Sequence, residues 1–375
     1  MLITATLVIM SRIKMELGHY ASIVFSTPTL HISKNILSLG LLFALVAFVG
    51  CSAYTPLIRD NNGTVISGSI ASLEEVPVGG VKQWILIRGN NTTSPMLLFL
   101  HGGPGMPIMY YAYTFQKPLE EDFVVVQWDR RGAGKSYDSE IDVESMNVEQ
   151  IIADTHELVQ MLRRRFRTDK VYLVGHSWGS YLGMILIQRY PELFHAYVGV
   201  GQLAYSGERN WEVQERFIRQ RATETTNTVA LADLDTRGPR SYEKWLFEFG
   251  AELYRATSIW PFIRDGLFAP EYSIFDAFKI SSGSQFNQQY MKYNAINGQL
   301  IDVVSSVQVP VYFFAGRHDF TTPFELTEEY FQKLSAPQKK MVWFLESAHF
   351  PFYEEPEKFS REMKLMLDET SVKKK

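Results

Sequence analysis

The run Val171-Tyr172-Leu173-Val174-Gly175-His176-Ser177-Trp178-Gly179-Ser180 decides how the rest of this chain is read. Its first four residues are apolar with no polar alternation, the pattern of a short strand buried on both faces. Gly175, Ser177 and Gly179 then form a G-x-S-x-G spacing, and an apolar helical pattern begins near Ser180 and stops at Tyr190-Pro191. Strand, tight turn and helix in that order can lift a serine clear of a sheet as a nucleophile. The glycines serve where backbone segments must approach closely. A glycine-rich turn carrying an ordinary surface serine is the bland alternative, so the partners of Ser177 matter.

Further runs of the same kind lie to either side. Met96 to Leu100, Phe123 to Trp128, Ala196 to Val200, Val311 to Ala315 and Met341 to Phe344 are short and apolar almost throughout. Val148 to Arg167 places Ile151, Ile152, Leu158, Val159, Leu162 and Phe166 at helical spacing. Apolar strands separated by helices predict a mostly parallel sheet covered on both faces. Ser69 to Pro77 and Val81 to Arg88, joined through Val78-Gly79-Gly80, predict a β-hairpin ahead of it. From about Ala204 to Leu300 no strand run appears. That stretch holds Trp211, Phe217, Trp245, Phe247, Phe249, Tyr254, Trp260 and Phe262 among many charges, which predicts a helical insertion. The expected organisation is therefore a core of 69–203 and 301–375, a helical cap of 204–300, a linker of 51–68 and an N-terminal segment of 1–50.

A serine hydroxyl needs a base to take its proton, and the base needs a third group to hold its tautomer. In an architecture of this kind the order along the chain is serine, acid, histidine. Val311 to Ala315 runs into Gly316-Arg317-His318-Asp319, and Met341 to Phe344 runs into Glu346-Ser347-Ala348-His349. Asp319 and His349 thus fall just past strand ends in the required order. Asp302 precedes its strand and His318 precedes the acid, so neither competes well. The charge that develops on an attacked carbonyl needs fixed N–H donors. His101-Gly102-Gly103-Pro104-Gly105 follows the strand at Met96 to Leu100, which makes Gly103 one expected donor and Trp178, just after the serine, the other.

Other chemistries are excluded more simply. Gly132-Ala133-Gly134-Lys135-Ser136 looks like the end of a phosphate loop, but Asp129 stands where such a loop needs its first glycine. A net charge of -4 offers no basic footprint for nucleic acid. One cysteine in 375 residues excludes an internal disulfide and a thiolate zinc site. No metal and no cofactor are expected.

That cysteine, Cys51, follows an apolar run of fifteen residues, Ile36 to Gly50. The run is short of the roughly twenty residues that span a bilayer and suits the apolar part of a secretory signal. Ala47-Phe48-Val49-Gly50-Cys51 resembles a bacterial lipobox, with Gly50 in place and Phe48 where leucine is usual. The expectation is an exported protein of the cell envelope, membrane-anchored by lipid on Cys51 or by the N-terminal signal itself.

Taken together, Met96 to Gly105, Asp129-Arg130-Arg131-Gly132-Ala133-Gly134-Lys135-Ser136 and Gly175 to Ser180 resemble the prolyl iminopeptidases of the α/β-hydrolase fold family. The similarity covers about residues 70–200 and 305–360, with the insertion matching in position as a cap. In that family serine, aspartate and histidine form a catalytic triad, which carries onto Ser177, Asp319 and His349. Two positions depart from the family pattern: His176 stands where glycine is common, and Arg130 where glutamine is usual. An aminopeptidase must also bind a free α-ammonium group, normally with a cap carboxylate. Glu208, Glu212, Glu215, Glu243, Glu248 and Glu252 are available, and Glu208, nearest the end of the strand at Val200, is the expected one. The expected partner is a small peptide with an N-terminal proline-like residue. The alternatives are an esterase or lactonase of small apolar acyl groups and a non-catalytic envelope lipoprotein. Epoxide hydrolases and dehalogenases of this fold resemble the chain less, since they use aspartate where it has Ser177.

Overall fold

A computed structural model of the chain describes residues 53–292 and 299–371. The N-terminal apolar run and Cys51 lie outside the described residues. Among those described, no helix is long and apolar enough to cross a membrane.

Eight strands form one sheet: β1 (Ile70–Val78), β2 (Val81–Gly89), β3 (Met96–Leu100), β4 (Val124–Asp129), β5 (Val171–His176), β6 (Phe194–Val200), β7 (Val311–Gly316) and β8 (Lys339–Phe344). Their spatial order is β1-β2-β4-β3-β5-β6-β7-β8. The β1–β2 hairpin turns at Gly79-Gly80, β2 runs antiparallel to β4, and every later pairing is parallel. The apolar strands are central because helices cover both of their faces. On one face α1 (Val148–Phe166) and α2 (Trp178–Arg189) bury Ile151, Leu158, Leu162, Leu182 and Leu186 against Leu98, Val126 and Leu173. On the other, Phe359, Met363 and Met366 pack against Phe99, Val174 and Phe314.

Helix boundaries follow from local chemistry. Asn147 caps α1 by accepting from the Gln150 N–H, and Arg163, Arg164 and Arg165 complement the negative end of its dipole. β5 runs two residues further than its apolar run, through Gly175 and His176, so Ser177 is the only residue between strand and helix.

Between β6 and β7 the described residues form α3 (Glu208–Glu224), α4 (Thr228–Arg237), α5 (Tyr242–Glu248), α6 (Trp260–Leu267), α7 (Ile274–Tyr290) and the single turn α8 (Leu300–Val303). Ile218, Leu234, Tyr242, Trp245 and Leu246 make a small core of their own there. α7 is fastened to the sheet domain by buried Lys135, whose Nζ lies 2.6 Å from Asp276 and over the rings of Trp84 and Tyr272. The phosphate-loop lookalike is thus a strut for the insertion. Two helices flank the last strand, α9 (Phe324–Lys333) and α11 (Pro356–Thr370), with the short α10 (Pro351–Glu354) between β8 and α11.

The stretch read as a linker carries bonds of its own. Tyr54 N–H donates to the Pro270 carbonyl at 2.9 Å, and Arg88 donates from Nη1 to the Pro56 carbonyl at 2.6 Å.

Candidate active site

Three of the parallel strands end at one edge of the sheet with a polar residue just beyond. β5 leads to Ser177, β7 to Asp319 and β8 to His349. Ser177 has φ 53° and ψ -122°, a backbone that residues with a Cβ rarely adopt. The turn holds because the Ser177 N–H donates to the Val200 carbonyl at 3.0 Å and the Ser177 carbonyl accepts from the Ser180 N–H at 2.8 Å and the Ser180 hydroxyl at 2.6 Å. Ser177 keeps partial exposure, whereas Asp319 and His349 are only 1% and 2% exposed.

His349 is fixed on all sides. Its Nδ1 donates to Asp319 Oδ2 at 2.8 Å, which leaves Nε2 as the unprotonated nitrogen of the neutral ring. Asp319 is itself oriented: Oδ1 accepts from the Thr322 N–H at 2.9 Å and Oδ2 from the Thr322 hydroxyl at 2.8 Å. That hydroxyl also lies 3.2 Å from His349 Nδ1. Burial alone pulls the imidazole pKa down; the Asp319 carboxylate, by charge and hydrogen bond, more than offsets it and raises the value to about 8.

Several contacts place this pair beside the serine. Gly201, next after the residue that accepts from Ser177, lies so close under the imidazole that a Cβ there would be 2.8 Å from Nδ1 and Cε1 of His349. His176 stacks its ring against His349 with centroids 4.7 Å apart, and its Nε2 donates to the His349 carbonyl at 2.9 Å. Burial, with the His349 charge adding, holds His176 well below the usual imidazole range, so it stays neutral and serves as a buttress. Across the site the glycine loop after β3 meets the elbow: a Cβ on Gly102 would lie 2.9 Å from Ser177 Cβ. Gly103, with φ 111°, follows it, and Trp178 opens the first turn of α2.

The cap carboxylates separate sharply. Glu208 is exposed on the first turn of α3. Glu212 pairs with Arg209 at 3.2 Å, and Glu215 with Arg219 at 2.7 Å. Glu252, just after buried Ala251, faces the pair instead. Its carbonyl accepts from the His349 N–H at 3.1 Å, and its carboxylate accepts from the Thr321 hydroxyl. Burial raises the Glu252 pKa, the Asp319 charge adds to the rise, and His349 and Thr321 oppose it. The cap aromatics divide as well. Trp245 is spent on the cap's own core, whereas Phe262 of α6 packs at 4.8 Å on Phe350, beside His349.

Of the residues expected from sequence, Ser177, Asp319, His349, Gly103 and Trp178 lie around one edge of the sheet, while Glu208 is exposed at the start of α3. His318 stacks on Tyr254 at 3.8 Å, away from the imidazole of His349. Thr322 was not anticipated; its signal is the local turn in which an aspartate side chain accepts from the backbone three residues on. Among the described residues no cluster of His, Cys, Asp and Glu could hold a metal ion.

The α/β-hydrolase fold family profile matches residues 95–356. The chain is similar to "Probable aminopeptidase YbaC" of Bacillus subtilis strain 168, at 32% identity over 301 residues, 78% of this chain and 95% of that protein. It is 26% identical over 291 residues to a proline iminopeptidase of Clostridioides difficile, covering 76% of this chain and 94% of that one. The crystal structure of a proline iminopeptidase from Mycobacterium smegmatis superposes with a TM-score of 0.59 at 18% identity, over 80% of this chain and 98% of the other. An esterase from Rhodococcus, RhEst1, superposes at 0.56 with 16% identity, over 80% of this chain and all (100%) of the other. With an eight-stranded sheet, the nucleophile-type turn at Ser177 and these relatives, this chain belongs to the α/β-hydrolase family and is a hydrolase related to the proline iminopeptidases.

Proposed function

We propose that the protein is a serine aminopeptidase of the proline-iminopeptidase kind, with Ser177 as nucleophile, His349 as general base and acid, and Asp319 as the group that holds the imidazole. The observation that carries this reading is the 2.8 Å bond from His349 to Asp319 beside the strained turn at Ser177. His349 takes the proton of Ser177 Oγ as the oxygen attacks the scissile carbonyl. The N–H groups of Gly103 and Trp178 hold the oxyanion. The imidazolium then gives its proton to the leaving amine, and an acyl-serine remains. A water, deprotonated by His349, attacks that ester and frees the acid and Ser177.

Glu252 is the better candidate for the substrate α-ammonium. It is half-buried, it belongs to the cap, and its carboxylate lies close enough to His349 and Asp319 for their charges to act on it. Phe262, Phe350 and Tyr111 supply an apolar wall suited to a proline-like ring.

The test compares kcat/KM for a proline anilide, an alanine anilide and a short-chain aryl ester, with Ser177→Ala as blank. Proline anilide well above alanine anilide is the expected result. Ester turnover with no anilide cleavage would move the protein to the esterase reading. Failure of a fluorophosphonate probe to label Ser177 in folded protein would remove both.

The exported, lipid-anchored reading of the N-terminal segment is part of the same proposal and rests on the sequence around Cys51. A mass difference between the membrane-associated wild type and Cys51→Ser no larger than the sulfur-to-oxygen exchange itself would discard it.

A further inference from the structure

Arg130 follows β4 and is 2% exposed, yet among the described residues no carboxylate pairs with it. Its Nη1 is buried and has no hydrogen-bond partner there. Burial without a compensating charge lowers its pKa to about 9, still well above neutrality, so the side chain is a cation at pH 7. An unpaired buried cation is costly, and replacing it by a neutral side chain of similar volume would ordinarily favour folding.

The surroundings of the guanidinium show what the charge is aimed at. Nη2 donates to the carbonyl oxygen of Gly102 at 3.3 Å, and the guanidinium carbon lies 4.8 Å from the centre of the Trp178 ring. The same carbonyl accepts from the Met106 N–H at 3.3 Å. His101 completes the group. Its Nε2 lies 3.3 Å from the Arg130 backbone N, and its Nδ1 lies 3.0 Å from Arg130 Nη2 and 2.9 Å from the Gly102 oxygen. Burial and the Arg130 charge keep His101 neutral. The charged Nη2 and the Met106 N–H therefore converge on one carbonyl, with His101 Nδ1 beside it. That carbonyl belongs to the peptide unit whose N–H is Gly103's.

We infer that Arg130 is a positioning residue of the oxyanion hole, acting through the Gly102–Gly103 peptide and the Trp178 ring on the two N–H groups assigned to hold the oxyanion. The inference rests on the reading of Ser177, Gly103 and Trp178 given above. A donor on the carbonyl oxygen draws electron density through the peptide and makes its N–H a stronger donor, since bonded chains polarise one another. The fixed cation behind the peptide also lies on the side from which it attracts negative charge developing in front, and among the described residues no carboxylate pairs with it. Both effects grow only as the carbonyl oxygen becomes an oxyanion, so they act on the transition state and leave ground-state binding alone. A neutral side chain here would keep at most the geometry.

The experiment uses the full chain with Arg130→Met, Arg130→Lys and Arg130→Gln, on whichever anilide or ester the wild type cleaves. Removing a direct oxyanion donor costs about 10²–10³ in kcat, so losing the group behind it is expected to cost about 10- to 100-fold. In Arg130→Met kcat should fall by that factor with KM within about threefold. Affinity for a peptide boronic acid, which forms a tetrahedral adduct on serine, should weaken in parallel, while affinity for the reaction product stays unchanged. Arg130→Lys, which keeps the charge, should recover part of kcat. A folded Arg130→Met with wild-type kcat, or a loss confined to KM, would overturn the inference. Should that variant fold poorly, Arg130→Gln carries the test, and wild-type kcat there overturns it equally. Fluorophosphonate labelling of the wild type separates the two levels: no label on Ser177 brings down the reading of the site, whereas a labelled wild type with an indifferent Arg130 brings down this inference alone.

Discussion

The backbone N–H of His349 donates to the carbonyl oxygen of Glu252 across 3.1 Å, so the assigned base and the nearest cap carboxylate are held in one frame. A substrate whose ammonium meets Glu252 would therefore present its first carbonyl to a fixed base. Glu252→Gln keeps the shape and a partner for Thr321 but loses the charge. It should raise KM for substrates with a free N-terminus about tenfold or more, the worth of one charge-assisted bond. An N-acylated substrate or an aryl ester should stay within about threefold. Equal losses on both kinds of substrate would show that Glu252 only shapes the loop of His349.

The pH dependence follows from the same histidine. Only the neutral imidazole accepts a proton, and Asp319 raises its pKa to about 8 against burial. On an uncharged aryl ester, kcat/KM should rise about tenfold per pH unit below that value and level off above it. Asp319→Asn should shift this limb to lower pH and cut kcat by about 10⁴, by analogy with other serine triads. The linkage to stability has the opposite sense. A folded pKa above the ordinary 6.5 contributes stability that is complete below pH 6.5 and lost as pH rises through 8. Thermal unfolding of Ser177→Ala across pH 6 to 9 reads that contribution without turnover.

The turn at Ser177 stores strain. Its φ of 53° with ψ of -122° suits glycine far better than serine. Ser177→Gly should abolish activity and stabilise the protein by about 1 kcal/mol, whereas Ser177→Ala should abolish activity and keep the strain. Equal Tm values for the two variants would mean that the turn is relaxed.

Gly201 tests how tightly the imidazole is placed. A methyl there would stand 2.8 Å from Nδ1 and Cε1 of His349 and 3.1 Å from the Thr322 hydroxyl, at a φ of 52°. Gly201→Ala should push the ring off the line between Asp319 and Ser177. Expected results are a fall in kcat of about 100-fold and slower fluorophosphonate labelling, with KM little changed. Wild-type labelling in a folded variant would show that the site tolerates the shift.

Much of this was legible along the chain because it is encoded locally. Continuous apolar runs fixed where the parallel strands lie, since a strand buried on both faces cannot carry polar residues. Glycine spacing marked the turn at Ser177, and Asp319 and His349 stood out because each directly follows such a strand. Strand ends moved by a few residues, as at His176 and Lys339, where burial depends on neighbours and not on the residue itself. The preference for Glu208 rested on distance along the chain from Val200. That distance says nothing about which way a cap helix turns its faces.

What the sequence alone determined is thus the order of strands and helices, the tight turn at Ser177, and the positions of Asp319 and His349 after β7 and β8. These depend on hydrophobic period and on backbone freedom at single residues, both short-range properties. Only the tertiary structure decided that β4 inserts between β2 and β3, that Glu252 faces His349 while Glu208 faces solvent, and that Arg130 is buried against the Gly102 carbonyl with no carboxylate paired to it among the described residues. Charge, burial and the direction of a side chain are set by segments distant in the chain. Identical residue types such as the cap glutamates Glu208 and Glu252 become different groups only once those segments are packed around them.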